Sequence, residues 1–207
     1  MYIIGLTGGT GAGKSTALQA LHKMGAHTLD CDEVYHKLLS DSVAMKAEIE
    51  TVFGDVVTAG RIDRRKLGKI VWSNPASLQE LNRITHKYVD NEIDRQLRLQ
   101  KEKGTKITAI DAIALIESGQ GNKCDIVVGV TAPQEKRLAR IMSRDSLTKE
   151  DAQTRINAQK PESFFIENCD YILENPYDEA AAFEEKCTVF FRELLKAGEL
   201  LKEKGYE

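Results

Sequence analysis

The 207-residue chain has no C-x-x-C pair. Its four cysteines, Cys31, Cys124, Cys169 and Cys187, stand far apart. That spacing argues against a zinc cluster and for reduced thiols in a cytoplasmic protein. No apolar run approaches the length of a membrane span, so no membrane partner is expected. There is no basic surplus: 29 Lys and Arg stand against 32 Asp and Glu, a net charge of -3. A nucleic-acid scaffold would usually show an excess of positive charge. The first residues have neither the positive start nor the continuous apolar run of a secretory signal, which also favours the cytoplasm. Internal repeats and low-complexity tracts are absent. What remains is 42% hydrophobic and 29% charged, an ordinary globular composition. The length suits one good core with an inserted lobe, in a monomer or weak homo-oligomer.

Against that background one segment stands out. Gly8-Gly9-Thr10-Gly11-Ala12-Gly13-Lys14-Ser15 matches G-x-x-x-x-G-K-[ST] and directly follows the apolar run Tyr2–Leu6. Strand, loop and helix in this order are the setting of a phosphate-binding loop. The glycines let backbone N–H groups turn inward around phosphate oxygens. Gly11, Ala12, Gly13, Lys14, Ser15 and Thr16 are therefore the expected ATP-binding residues. Lys14 would reach the β- and γ-phosphates, and Ser15 would offer its hydroxyl to Mg²⁺. The positive end of the following helix adds to the anion site.

The rest of the chain reads as an α/β, P-loop nucleoside triphosphate hydrolase-type, three-layer fold with a parallel five-stranded sheet. The expected strands are Ile3–Thr7, His27–Asp30, Ile107–Asp111, Ile126–Val130 and Tyr171–Glu174. Lys14–Met24 reads as the first helix. Two intervals exceed what crossovers need. The first, 34–102, reads as a helical substrate lobe, with Ile84, Tyr88, Ile93 and Leu97 near helical spacing. The second, 134–168, is charged and reads as a lid whose few large apolar residues leave it mobile. Residues 1–33, 103–133 and 169–207 would form the nucleotide-binding core, with an amphipathic helix over Tyr177–Lys204.

Several side chains have types and positions that suit phosphoryl transfer. Asp30 and Asp32 follow the second strand, and in an extended chain residues two apart point the same way. Asp32, just beyond the strand, is the expected base for an acceptor hydroxyl; Asp30 is read as a helix cap or as a Mg²⁺ partner through water. Asp111 closes the third strand like a Walker B carboxylate, with a metal or substrate role, and Glu117 follows shortly after. Arg137, Arg140 and Arg144 are spaced to share one helix face and clamp a polyphosphate, with Arg140 in the catalytic set. Asp145 could hold one of them, and Arg155 could reach the same cleft. The cluster Arg61-Ile62-Asp63-Arg64-Arg65 and His86 lie in the helical lobe, where guanidinium forks suit phosphate oxygens. Trp72 reads as core, and His22 and His27 as structural or solvent-facing. Asn122-Lys123-Cys124-Asp125 matches a guanine-reading motif but precedes its strand, so it reads as turn chemistry.

Taken in order, G-L-T-G-G-T-G-A-G-K-S-T, D-C-D at Asp30–Asp32, G-R-I-D-R-R-K-L at Gly60–Leu67, L-N-R-I-T-H at Leu81–His86 and I-D-A-I-A-L-I-E-S-G at Ile110–Gly119 resemble the dephospho-coenzyme A kinase family. R-L-A-R-I-M-S-R-D, R-I-N-A-Q and D-Y-I-L-E-N extend the resemblance over nearly the whole chain. It implies transfer of the ATP γ-phosphate to the ribose 3′-hydroxyl of dephospho-coenzyme A, the last step of coenzyme A synthesis. It also implies a nucleotide-binding core, a helical coenzyme A lobe and a lid. The family's catalytic aspartate matches Asp32 and its substrate-lobe arginine matches Arg64. Its lid arginines match Arg137, Arg140 and Arg144, its helical-lobe histidine matches His86, and its acidic residue after the third strand matches Glu117. Two usual prolines are replaced, by Lys87 after His86 and by Ile113 after Asp111-Ala112. The competing readings are another P-loop small-molecule kinase, such as a nucleoside or nucleoside monophosphate kinase, and a non-catalytic ATP-binding regulatory module. The insertion after strand two, with Arg64 and His86, favours the coenzyme A precursor.

Overall fold

The computed structural model describes the backbone of residues 1–203 and the side chains of residues 1–196. The chain divides into two compact units, Met1–Thr28 with the segment from Gly104 onward, and Leu29–Lys103. The chain passes from the first unit to the second within a strand, earlier than Val34. Asp30 and Asp32 therefore belong to the helical unit.

The first unit is built on a five-stranded sheet of order β2-β5-β1-β6-β7. These strands are β1 (Tyr2–Thr7), β2 (His27–Asp30), β5 (Ile107–Asp111), β6 (Ile126–Thr131) and β7 (Tyr171–Glu174). The pairings of β1 with β5, β1 with β6, and β6 with β7 are parallel. Leu6 stands opposite Asp111, Thr7 opposite Gly129, and Thr131 opposite Glu174. This register brings the carboxyl ends of four adjacent strands to one edge of the sheet, where ligands bind in open α/β folds.

Alternation along the strands separates the two faces of the sheet. Ile4, Leu6, Val128 and Val130 join a core with Ala17, Ala20 and Leu21 of α1 (Lys14–Lys23) and with Phe183, Cys187, Phe191 and Leu194 of α9 (Ala180–Glu203). Lys204, the last residue of the expected amphipathic helix, lies outside the described residues. The opposite face carries Gly5, where a Cβ would meet Leu115 and Cys124, and Gly129, where it would meet Cys169 and Ile172. Phe165 of α8 (Glu162–Asn168) is buried against that side. Residues 162–168, expected to belong to a lid, thus cover the sheet. Before α8 come α6 (Gln134–Asp145) and α7 (Lys149–Asn157). Their own apolar cluster is Ile141, Ala152 and Ile156, with Leu138, Met142 and Leu147 packed around it. The segment 134–157 therefore has an apolar anchor that its charged composition hides. All four cysteines are free.

The second unit is helical: α2 (Cys31–Asp41), α3 (Val43–Phe53), α4 (Arg64–Trp72) and α5 (Pro75–Glu102), with the short hairpin β3 (Val57–Thr58) and β4 (Arg61–Ile62). Each helix starts on a side-chain oxygen that accepts backbone N–H groups: Asp30 for α2, Ser42 for α3, Asp63 for α4 and Asn74 for α5. Such caps contribute about 1 kcal/mol each. Leu39, Met45, Ile49, Val56, Leu67, Val71, Leu81 and Ile84 form its core. Trp72, expected there, is 87% exposed at the end of α4. Val71 takes the inward position, and helical geometry turns the next residue about 100° away. Lys87, where the family has proline, lies within α5 and pairs with Glu48 of α3, which also accepts from the Tyr88 hydroxyl at 2.9 Å. The Asn122–Asp125 match lies at the amino end of β6, and Asp125 accepts the Ile3 N–H at 2.6 Å.

Phe191 is fully buried in the first unit's core, whereas Val189 on the same helix is 47% exposed. Phe191→Ala should cost ~3–5 kcal/mol, read as a lower urea midpoint at unchanged slope. Val189→Ala should stay within about 0.5 kcal/mol. Equal losses in the two variants would mean that α9 does not close this core.

Candidate active site

The loop after β1 turns back on itself at Gly13, which caps α1 with φ +110. A Cβ at Gly13 would lie 2.3 Å from the Asn175 amide nitrogen and about 3 Å from Phe183. Glycine is therefore required here twice over, by backbone angle and by space. Lys14 opens α1 and donates from Nζ to Asp111 Oδ1 at the end of β5. Both side chains are largely buried, at 15% and 6% exposure. The register that sets Asp111 opposite Leu6 explains how residues so far apart in sequence meet. Ser15, the next residue, is exposed.

The loop is held from outside by groups from three other segments. Arg137 Nε donates to the Thr10 carbonyl at 2.9 Å. Arg137 Nη2 donates to Gln159 Oε1 at 2.9 Å. The same oxygen accepts the Thr10 N–H at 2.8 Å, and Gln159 Nε2 reaches Thr10 Oγ1 at 2.6 Å. Arg140 Nη1 donates to the Gly11 carbonyl at 2.9 Å, and Arg140 Nη2 to the Tyr177 carbonyl. Asn175, 4% exposed, donates from Nδ2 to the Ala12 carbonyl at 2.9 Å. Burial pulls the pKa of both Arg137 and Arg140 down from the ordinary guanidinium value. Both remain cations at any pH of interest.

Arg144 does not join them. Its guanidinium is bidentate to the adjacent Asp145 at 2.8 Å for both bonds, and Arg155 also donates to Asp145. These hydrogen bonds hold the Asp145 carboxyl below its ordinary value, and the bond to Asp145 raises Arg144. The expected row of three therefore splits. Positions 137 and 140 meet the loop, while 144 finds a nearer carboxylate. Glu117 is exposed in the turn after β5, and with Gly9, Ile113, Gln159 and Lys160 it lines a cavity of ≈ 360 Å³. Ile113, in the place of the second proline, accepts from Thr7 Oγ1 at 3.0 Å through its carbonyl.

In the helical unit, Asp30 and Asp32 do not lie on one extended stretch. The chain turns helical at Cys31, and Asp30 Oδ1 accepts the N–H groups of Asp32 at 2.8 Å and Glu33 at 3.1 Å. Asp30 is thus the cap, and Asp32 stands exposed in the first turn of α2. Arg64 opens α4 and meets His36, with Nη2 3.3 Å from Nδ1. His86 is exposed on α5.

Reading the sequence residue by residue missed Gln159, Asn175 and His36. The first two sit inside R-I-N-A-Q and D-Y-I-L-E-N, the stretches that carry the resemblance, so a signal was present without a role. His36 had only its position one helical turn after Asp32. Gln159 and Asn175 act through backbone carbonyls of the loop, which no motif displays.

Comparisons with known proteins identify a family. A family model described as dephospho-CoA kinase matches residues 2–180. The dephospho-CoA kinase of Latilactobacillus sakei is 36% identical over 175 residues, covering 84% of this chain and 87% of that one. A solved dephospho-CoA kinase from Campylobacter jejuni superimposes with a TM-score of 0.70 at 25% identity, over 95% of this chain and 98% of that one. A shikimate kinase from Acinetobacter baumannii, at 17% identity and a TM-score of 0.53, shares the fold.

Gly13→Ala should abolish ATP binding or weaken it by more than about a hundredfold, because backbone strain and a blocked Asn175 together exceed ~3 kcal/mol. Calorimetric titration with a non-hydrolysable ATP analogue checks this. Binding within threefold of the parent would mean that the loop tolerates a Cβ between α1 and Asn175.

Proposed function

The chain belongs to the dephospho-CoA kinase family, and we propose that its residues divide the transfer of the ATP γ-phosphate to the 3′-hydroxyl of dephospho-coenzyme A as follows. The observation that carries the reading is the Gly8–Ser15 loop, with Lys14 at its end, secured by Arg137, Arg140, Gln159 and Asn175. ATP is the phosphate donor of this family, and nothing in the fold or the comparisons favours another acceptor or a purely regulatory role.

In this reading the Gly11–Thr16 backbone binds the nucleotide phosphates, and Lys14 leaves Asp111 to neutralise charge on the β- and γ-phosphates. Arg140 and Arg137 keep their positive charge beside the loop, where they oppose the negative charge that builds up during transfer. Arg144, held by Asp145 at the surface, would contribute only after exchanging that partner for a phosphate. The oxygen donors available for Mg²⁺ are the Ser15 hydroxyl and the Asp111 carboxylate, both hard ligands of the kind this ion takes. Among the described residues no group of three or more His, Cys, Asp or Glu side chains converges. A Mg²⁺ held through phosphates and waters needs none. When bound, it would neutralise the β- and γ-phosphate oxygens.

Acceptor binding falls to the helical unit, with Arg64 and His86 as phosphate-directed groups, and to Asp111 and Glu117. Asp32 orients the 3′-hydroxyl and takes its proton as the new oxygen–phosphorus bond forms and the bond to the ADP oxygen breaks. The alcohol becomes acidic only as that bond forms, so an exposed carboxylate can accept the proton at that stage. Asp30 Oδ1 caps α2, so this reading gives the ion's carboxylate to Asp111. No helix among the described residues is long and apolar enough to cross a membrane. Both substrates are small molecules, and the reading keeps the chain in the cytoplasm as a monomer or weak homo-oligomer.

Two substitutions test this division. Lys14→Ala should lower kcat at least a hundredfold while the protein stays folded by circular dichroism, since one lost transition-state cation is worth ~3 kcal/mol or more. Turnover at the parent rate would remove the loop from catalysis. Asp32→Asn should lower kcat by roughly 10²–10⁴-fold with nearly unchanged ATP affinity. Because Asp30 already caps α2, the asparagine variant should keep its melting temperature. Activity near the parent value would move the proton acceptor elsewhere.

A further inference from the structure

We propose that His36 is a positioning residue for the acceptor. It holds the Arg64 guanidinium in place without neutralising it, so that Arg64 keeps its full charge for a phosphate group of dephospho-coenzyme A. The inference rests on the reading of Arg64 as a phosphate ligand, and it adds the residue that makes that arginine usable.

The geometry lies within the helical unit. Asp32 and His36 are four residues apart on α2, so they share one face of that helix. Arg64 is the first residue of α4 and reaches that face, its Nη2 3.3 Å from His36 Nδ1. A guanidinium only donates, so Nδ1 is the acceptor and the neutral ring carries its proton at Nε2. The neighbouring Tyr35 ring lies 5.4 Å from the imidazole, tilted by 46°. Burial pushes the Tyr35 phenol above its ordinary value, and the nearby Arg64 charge pulls it back. The hairpin that leads into α4 is itself pinned, since Lys46 Nζ donates to the Ser40 carbonyl at 3.0 Å and to the Gly60 carbonyl at 2.8 Å.

Four other arginines are held by carboxylates. Arg83 is paired with Glu80, Arg95 with Glu92, and Arg144 and Arg155 with Asp145. Arg64 has no carboxylate among its described partners. The closest acid in sequence, Asp63, is occupied by the N–H groups of Arg65 and Lys66, whose bonds hold it below its ordinary value. A carboxylate at position 36 would hold Arg64 as firmly but compete with an incoming phosphate for the same fork. A neutral imidazole uses one of the five N–H donors and leaves the charge and the remaining donors available.

Steady-state kinetics with both substrates varied tests this on three variants and one double variant of the full chain. Arg64→Ala should raise the KM for dephospho-coenzyme A by roughly tenfold or more and leave the KM for ATP unchanged. His36→Ala should raise the acceptor KM by about five- to tenfold, again with the ATP KM unchanged. His36→Gln, whose amide oxygen can accept from Arg64, should return the acceptor KM to within about twofold of the parent. In the Arg64→Ala background, His36→Ala should have no further effect, since the two residues act as one unit. If Arg64→Ala leaves the acceptor KM unchanged, the assignment of Arg64 fails and this inference with it. If Arg64→Ala raises it and His36→Ala does not, the inference alone fails. It fails equally if His36→Ala raises both KM values alike, if glutamine does not repair the loss, or if the two effects multiply in the double variant.

Discussion

A loop that turns N–H groups toward phosphate oxygens keeps few of them for its own shape: Ala12 N–H reaches the Gly9 carbonyl at 3.1 Å, and the Thr10 N–H goes to Gln159. Every other part of the first unit answers to that constraint. Three of its carbonyls are gripped by side chains, by Arg137 at Thr10, Arg140 at Gly11 and Asn175 at Ala12. Hydrogen bonds from charged donors contribute about 1.5–3 kcal/mol each. The two arginines can therefore offset much of the conformational entropy lost in ordering three glycines, which hold positive φ at 8, 11 and 13. In the proposed reading they also leave two cations beside the place where negative charge would accumulate during transfer. One set of side chains thus stiffens the cradle and supplies its electrostatics.

The parallel sheet makes this grip possible. The carboxyl ends of β5, β1, β6 and β7 lie side by side, and the chain leaving each contributes one part of the site. From β1 comes the loop, from β5 Asp111 and the turn with Glu117, from β6 the helix with Arg137 and Arg140, and from β7 Asn175. Gln159, beyond α7, closes the set on Thr10. The apolar cluster of Ile141, Ala152 and Ile156 holds α6 and α7 together. That cluster keeps the arginines on α6 and the glutamine beyond α7 in a common frame, so the region is more than a charged flap.

In the proposed reading the helical unit has a different task, which is to bind an anion without first binding a carboxylate. Its helices are started by Asp30, Ser42, Asp63 and Asn74. Two of those caps are acids that would otherwise be available to neutralise nearby arginines. Capping satisfies the backbone and removes competing carboxylates in the same step. Asp32 is no cap and stands exposed on the first turn of α2, which suits the role proposed for it.

Much of this was legible from local pattern. The strand, glycine loop and helix, the five apolar runs and the helical spacing through Asn82–Leu99 depend on neighbours in sequence, so the α/β class, the phosphate loop and the family could be read directly. Tertiary structure decided the rest. Which of Asp30 and Asp32 caps a helix depends on where the backbone turns helical, which is at Cys31, inside the stretch an extended reading assumed. Arg137 meets a carbonyl 127 residues away, whereas Arg144, on the same helical face by spacing, meets the carboxylate beside it. Trp72 lies outside the core because Val71 takes the inward position on α4. Periodicity tells which way a side chain can point, because it follows from the geometry of one element. What the side chain finds there depends on strand register and helix packing, which join residues that no local pattern connects.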